Sequence, residues 1–216
     1  MLFRSFLIAL SRGHEAVARL MLERGAEVNS RDRRGGTPLH EAVRQGKIDL
    51  VRDLVARGAD LHARTETPPG PPSPFRTGGM TPFLTAAESG NVAMMRELIA
   101  LGADPKAKTP DGAGGMLLAA ASRKLEAVKL MLELGADVNE ARRSGGTALH
   151  TATRFGANDI IQHLVENGAD LNAKDRFGRT PLEEAEFEAP KPTIDLLKKM
   201  TAAAAQRQKM PEKNPE

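Results

Sequence analysis

Apolar positions along this chain fall into short stripes separated by small residues and glycines. Ile48, Val51, Leu54 and Val55 share one face of a helix. Gly58 ends that helix, because glycine accepts the left-handed conformation of a helix C-terminus. Residues 124–134 and 158–167 repeat the same stripe. Ahead of the stripe at 48–55 lies a second, shorter helix signal. Thr37 can cap its N-terminus and Pro38 suits its first turn, where a missing N–H costs little. Gly46 fits the turn that follows. The pattern predicts pairs of short helices and an all-α chain.

The pairs keep a period. A Gly-Ala-acid tripeptide recurs as Gly25-Ala26-Glu27, Gly58-Ala59-Asp60, Gly102-Ala103-Asp104, Gly135-Ala136-Asp137 and Gly168-Ala169-Asp170, at intervals of 33, 44, 33 and 33 residues. Thr37-Pro38-Leu39-His40, Thr81-Pro82-Phe83-Leu84 and Thr147-Ala148-Leu149-His150 each stand 21 residues before their tripeptide. Thr180-Pro181-Leu182-Glu183 opens a last unit. Small residues follow (Ala42, Ala86 and Ala87, Ala152, Ala185), then Gly46, Gly90 or Gly156. A fixed period of this length marks a stacked-repeat architecture.

These motifs closely resemble the ankyrin repeat, with its T-P-L-H-x-A-A segment, its central glycine and its L-L-x-x-G-A-D-V-N ending. The resemblance covers roughly residues 4–200. It implies an ankyrin-repeat solenoid of about six helix-turn-helix units linked by β-hairpin-like turns. The units fall near 1–31, 32–64, 76–108, 109–141, 142–174 and 175–200, with a Pro-rich insert at 65–75 and a flexible tail at 201–216. The resemblance also gives His40 and His150 a structural role, hydrogen bonding backbone between adjacent turns.

Composition agrees. The 216 residues include seven Phe, no Trp, no Tyr and no Cys. That suits helix pairs packed on Ala and Leu, and it excludes disulfides and thiolate metal sites. No apolar run approaches the roughly 20 residues needed to span a membrane. Residues 1–10 are mostly apolar, with a short apolar run, but Ser11-Arg12-Gly13-His14-Glu15 offers no cleavage pattern, and the repeat phase reads them as the first helix of unit one. A cytoplasmic location is favoured over a secreted or periplasmic one. Leu2, Phe3, Leu7 and Ile8 do not form the polar outer face expected of a terminal repeat. The chain is expected to be monomeric unless this end self-associates.

Three places depart from the pattern. The insert TETPPGPPSPF (65–75) carries five prolines and P-x-x-P matches such as Pro69-Gly70-Pro71-Pro72 and Pro71-Pro72-Ser73-Pro74, and reads as a spacer that leaves the stack unbroken. In unit four, Gly114-Gly115-Met116-Leu117 replaces Thr-Pro-Leu-His, and Arg123 takes the position of the inter-helix glycine. Unit four is therefore the expected soft point. In unit six, Pro190 and Pro192 interrupt the helix link, and Glu183, Glu184, Glu186 and Glu188 read as a solvated cap.

Chemistry is sparse. None of the five histidines has a second histidine at i+3 or i+4, so no zinc signature is present, no serine stands in G-x-S-x-G, and no phosphate-binding loop is present. The regular acids lie one per unit, as turn residues. The chain reads as non-catalytic, without cofactor or metal.

By resemblance, partner contacts come from the turns and from the last residues of each first helix, which line a groove. Here they are Arg33, Arg34, Arg44 and Gln45 in unit two, Arg76 and Glu88 in unit three, Arg142, Arg143, Arg154 and Phe155 in unit five, and Arg176, Phe177 and Arg179 in unit six. With Arg12, this face carries ten of the twenty arginines and none of the eleven lysines. Arginine pairs bidentately with carboxylate and phosphate. The expected partner is an acidic protein segment. The alternatives are a nucleic acid, disfavoured by the lack of Tyr and Trp for base stacking, and an architectural segment of a longer repeat protein.

Overall fold

The computed structural model describes residues 2–67 and 78–209, and their side chains from residue 6 to residue 206. Arg76 and most of the Pro-rich insert lie outside the described residues, as does the end of the tail.

The described residues form helices in pairs. Unit one is α1 (Leu2–Ser11) and α2 (Glu15–Glu23). Unit two is α3 (Pro38–Arg44) and α4 (Ile48–Ala56), and unit three is α5 (Pro82–Ser89) and α6 (Val92–Ala100). Unit four is α7 (Gly115–Ala121) and α8 (Leu125–Glu133). Unit five is α9 (Ala148–Arg154) and α10 (Asn158–Glu166). Unit six is α11 (Pro181–Glu188) and α12 (Lys191–Lys209). The first helices stack in one row, α1 on α3, α3 on α5, and so to α11, while α6, α8 and α10 form a second row. A single apolar core runs the length of the stack through Phe6, Leu39, Phe83, Met116, Leu149 and Leu197. The chain is thus an all-α solenoid in which each unit buries its apolar side against its neighbours.

Local chemistry explains the helix starts. The side chains of Thr37, Thr81, Thr147 and Thr180 each accept a hydrogen bond from the backbone N–H three residues on. Pro38, Pro82 and Pro181 fill the first helical turn. In unit four Gly114 offers no such cap. At its neighbour Gly115 a Cβ would lie 2.7 Å from Met131 Cε and 3.3 Å from the Phe83 ring, so a larger residue there would make the end of the Met131 side chain shift. Arg123 does adopt the left-handed conformation of the glycine it replaces, with φ of 60°.

The turns align across the stack. Each is closed by the same backbone bond: Asp32 N–H to Gly36 O at 2.9 Å, Thr65 to Met80 at 3.0 Å, Thr109 to Ala113 at 2.9 Å, Arg142 to Gly146 at 3.1 Å and Asp175 to Arg179 at 3.0 Å. This register moves Thr65 and Glu66 out of the insert and into the turn of unit three. The extra residues therefore enter within that turn, after Glu66, rather than in a link before the unit. The stack is continuous across them, with α3 packed directly on α5.

Two expectations about the C-terminal unit need correction. Glu184 is not solvated: it is buried, and its carboxylate meets Arg154 of the preceding unit. Of the segment expected to be a flexible tail, residues 201–209 are helical, because α12 runs through them to Lys209. Its alanines favour helix, and Leu197, Met200 and Ala204 keep a stripe against the core.

Candidate protein-interaction surface

The turn tips are fastened to one another. Glu66 N–H donates to Arg34 O at 2.7 Å, Arg143 N–H to Asp111 O at 2.8 Å and Arg176 N–H to Ser144 O at 2.7 Å. Glu66, Arg143 and Arg176 thus occupy the same place in the turns of units three, five and six, as does Arg33 in unit two. Side chains at the closing position tie each turn internally. Asp32 accepts from the N–H groups of Arg34 and Gly36, and Asp175 from those of Phe177 and Arg179. Burial pushes the Asp175 carboxyl up, but the bonds from the Arg179 N–H, its guanidinium and the Phe177 N–H outweigh it and hold the carboxyl below its ordinary range.

The histidines bridge units. His40 Nδ1 accepts from Thr37 N–H at 3.3 Å, and Nε2 donates to Met80 O at 2.9 Å in the next turn. His150 repeats this with Thr147 at 3.3 Å and Arg179 O at 3.1 Å. Burial pulls the His40 imidazole below its ordinary range. Asn29 and Asn139 make a parallel set of bonds, each donating to a glycine carbonyl (Gly58, Gly168) and accepting from the N–H of Asp60 or Asp170.

Against this frame the candidate arginines divide. Arg154 donates from Nε and Nη2 to Glu184 Oε1, the closer contact at 2.5 Å. Arg44 pairs with Glu41 in its own helix, and Gln45 donates to Glu41 and to Leu10 O. Arg142 is largely buried, 3.6 Å from Asp111, and burial draws its guanidinium below the usual arginine range while Asp111 acts the other way. Arg31 and Arg64 donate to backbone carbonyls of the neighbouring turns. The guanidinium groups of Arg31, Arg64, Arg142 and Arg154 thus link neighbouring units, whereas that of Arg44 stays within its own helix. Arg33, Arg34, Arg143 and Arg176 stand exposed at the tips, with no ion pair among the described residues. Glu88 is exposed as well.

The tips are not uniformly basic. Unit two presents Arg33 and Arg34, unit three Glu66, unit four Pro110 and Asp111, unit five Arg143 and Ser144, and unit six Arg176 and Phe177. Among the described residues, positive charge at the tips therefore sits toward both ends of the row, with acids between.

Unit six adds aromatic surface. Phe177 is 64% exposed, with the Arg176 and Arg179 guanidinium groups 4.6 Å and 4.8 Å from its ring centre. Arg179 also stands 5.7 Å from the ring of Phe187, which is 74% exposed. Cation–π geometry of this kind holds rings and charges in one orientation. Phe155 lies on the neighbouring unit, part exposed. The sequence reading missed Phe187, although it occupies the helix-one position that Arg44 and Arg154 hold in their units. It also missed Glu184, whose partner lies one unit away.

Among the described residues, no cluster of His, Asp and Glu could hold a metal ion, and no helix is long and apolar enough to cross a membrane.

Known proteins bear on this surface through the family. The family model described as ankyrin repeats (3 copies) matches residues 5–65, 83–175 and 116–204. The chain is 53% identical over 49 residues to ankyrin repeat domain-containing protein 49 of Bos taurus, an alignment covering 23% of this chain and 21% of that protein. It is 38% identical over 60 residues to protein fem-1 homolog A-like of Mus musculus, covering 28% of this chain and 9% of the relative. It is 41% identical over 61 residues to 2-5A-dependent ribonuclease of Mus musculus, covering 28% and 8%. The chain spans about a fifth or less of the length of these relatives. With the family model matched over most of its length and the six stacked helix pairs, this chain belongs to the ankyrin-repeat family.

Proposed function

We propose that this chain is a non-catalytic protein-interaction module, and that it binds an acidic segment of a partner across the turn tips of units five and six. Ankyrin repeats generally mediate protein–protein interaction. The observation that carries the finer reading is the exposed Phe177 between Arg176 and Arg179, one turn from exposed Arg143. A surface phenylalanine in water has nothing to gain from exposure, whereas an aromatic anchor ringed by arginines is the usual make-up of an interface hot spot. The guanidinium groups of Arg176 and Arg143, which have no ion pair among the described residues, select carboxylates and steer an acidic chain toward the site. The described acids at the tips of units three and four, Glu66 and Asp111, disfavour such a segment there.

The test is a titration with two labelled probes, a peptide alternating glutamate and leucine and a single-stranded oligonucleotide, each at low and at physiological salt. The reading expects saturable peptide binding that survives physiological salt through its apolar part. Oligonucleotide binding that exceeds peptide binding, with a steep salt dependence, would assign the arginines to phosphate instead.

A further inference from the structure

We infer that the partner segment crosses unit six lengthwise, from the turn tip to the end of α11, and that it is dipolar. Its acids meet Arg143 and Arg176, its apolar side chains cover Phe187 and Phe155, and a basic residue follows at Glu188. This rests on the acidic partner proposed above and adds the path of the segment and the chemistry that follows its acids. Outside unit one, the exposed large apolar side chains among the described residues are Phe155, Phe177 and Phe187. They follow one line across units five and six. Phe177 stands at the turn tip, and Arg179 joins it to Phe187, with its guanidinium 4.8 Å and 5.7 Å from the two ring centres. Asp175 holds that guanidinium at 3.0 Å, so both rings are fixed against one anchored group. Phe187 lies in the last turn of α11, and Phe155 ends α9, which packs on α11. A segment laid along the row of tips covers Phe177 and leaves Phe187 in water. One that turns down α11 covers all three rings.

Charge changes sign along the same line. Arg143 and Arg176 are exposed at the tip end. At the far end stands Glu188, exposed and with no ion pair among the described residues. The other glutamates of α11 are committed. Glu183 accepts from the Thr180 N–H at 2.7 Å, Glu184 meets Arg154, and Glu186 pairs with Lys198 at 2.9 Å. A uniformly acidic segment that reached Phe187 would set a carboxylate against Glu188, whereas a basic residue there completes the pair and fixes the direction of the segment. The spacing follows from the helix. The eight residues of α11 span about 12 Å, which an extended segment covers with about four residues.

Fluorescence anisotropy of the whole chain with three labelled peptides tests this. Each peptide has three glutamates followed by three leucines, and ends in three lysines, three glutamines or three glutamates. The wild type should bind the lysine-ended peptide about threefold tighter than the glutamine-ended one, and the glutamate-ended one weakest. Glu188→Lys should reverse that order, and Phe187→Ala should weaken all three. Both side chains are exposed, so the two variants keep the thermal unfolding of the wild type. Equal affinity of the wild type for the three peptides overturns the dipolar segment. So does an order that survives Glu188→Lys, or a Phe187→Ala variant that binds as tightly as the wild type. In each of these cases the acidic partner itself still stands if Arg143→Glu with Arg176→Glu weakens binding. No binding of any peptide, or binding indifferent to that double variant, overturns the acidic partner and the dipolar segment together.

Discussion

Arg154, at the end of one first helix, holds the buried carboxylate of Glu184 in the next unit at 2.5 Å, and the second carboxylate oxygen has no partner among the described residues. The pair ties unit six to unit five. Its two members are unequally exposed, 30% for the Arg154 side chain and 8% for Glu184. Removing the arginine strands a buried charge, whereas removing the glutamate frees a guanidinium that water can reach. Arg154→Ala should therefore destabilise by about 2 kcal/mol, and Glu184→Ala by clearly less. Urea unfolding of both variants checks this. Equal costs would contradict the asymmetry.

His40 predicts a pH dependence. Its Nδ1 accepts from Thr37 N–H and its Nε2–H donates to Met80 O, so the folded protein holds the ring neutral. Burial depresses its folded pKa below the ordinary value of 6.5. Below that value the unfolded chain takes up a proton that the folded chain refuses. The contribution is fully present above pH ~6.5 and is lost as pH falls toward the folded pKa. His40→Leu, the residue that Leu84 and Leu117 supply at this place, should flatten the fall in stability that begins below pH ~6.5. Urea midpoints from pH 7 downward report it, and an unchanged slope in the variant would count against the assignment.

Arg123 carries the strain of unit four. Its φ of 60° is comfortable for glycine and costs an arginine roughly 1 kcal/mol. Arg123→Gly should raise the unfolding free energy by roughly 0.5–1 kcal/mol. The same strain, with the uncapped Gly114, is expected to make unit four exchange its amide hydrogens more readily than the other inner units. A destabilised Arg123→Gly variant, or unit four as the best-protected unit, would refute this account of it.

The repeat made most of the fold legible. Thr, Pro and Gly at fixed offsets specify caps and turns through local chemistry, so the helix pairs and their order followed directly. The interaction surface was less legible because it depends on which charges meet across units. Arg154 and Arg143 look alike in the sequence, yet one is committed to Glu184 and the other is exposed. Thr65 and Glu66 looked like insert until their hydrogen bonds to Met80 and Arg34 placed them in a turn. Phe177 drew notice as an aromatic beside arginines. Glu184 could not, since nothing local distinguishes a buried glutamate in a Glu-rich helix.

The same distinction selects the decisive variants. Reversing Arg142 or Arg154 would disturb the stack itself, whereas Arg143, Arg176 and Phe177 stand clear of it. The most direct measurement is the affinity of the glutamate–leucine peptide for wild type, for Arg143→Glu with Arg176→Glu, and for Phe177→Ala. The account predicts unchanged thermal unfolding in all three and affinity weakened about tenfold or more in each variant. Peptide binding that is equally tight in all three proteins would contradict it.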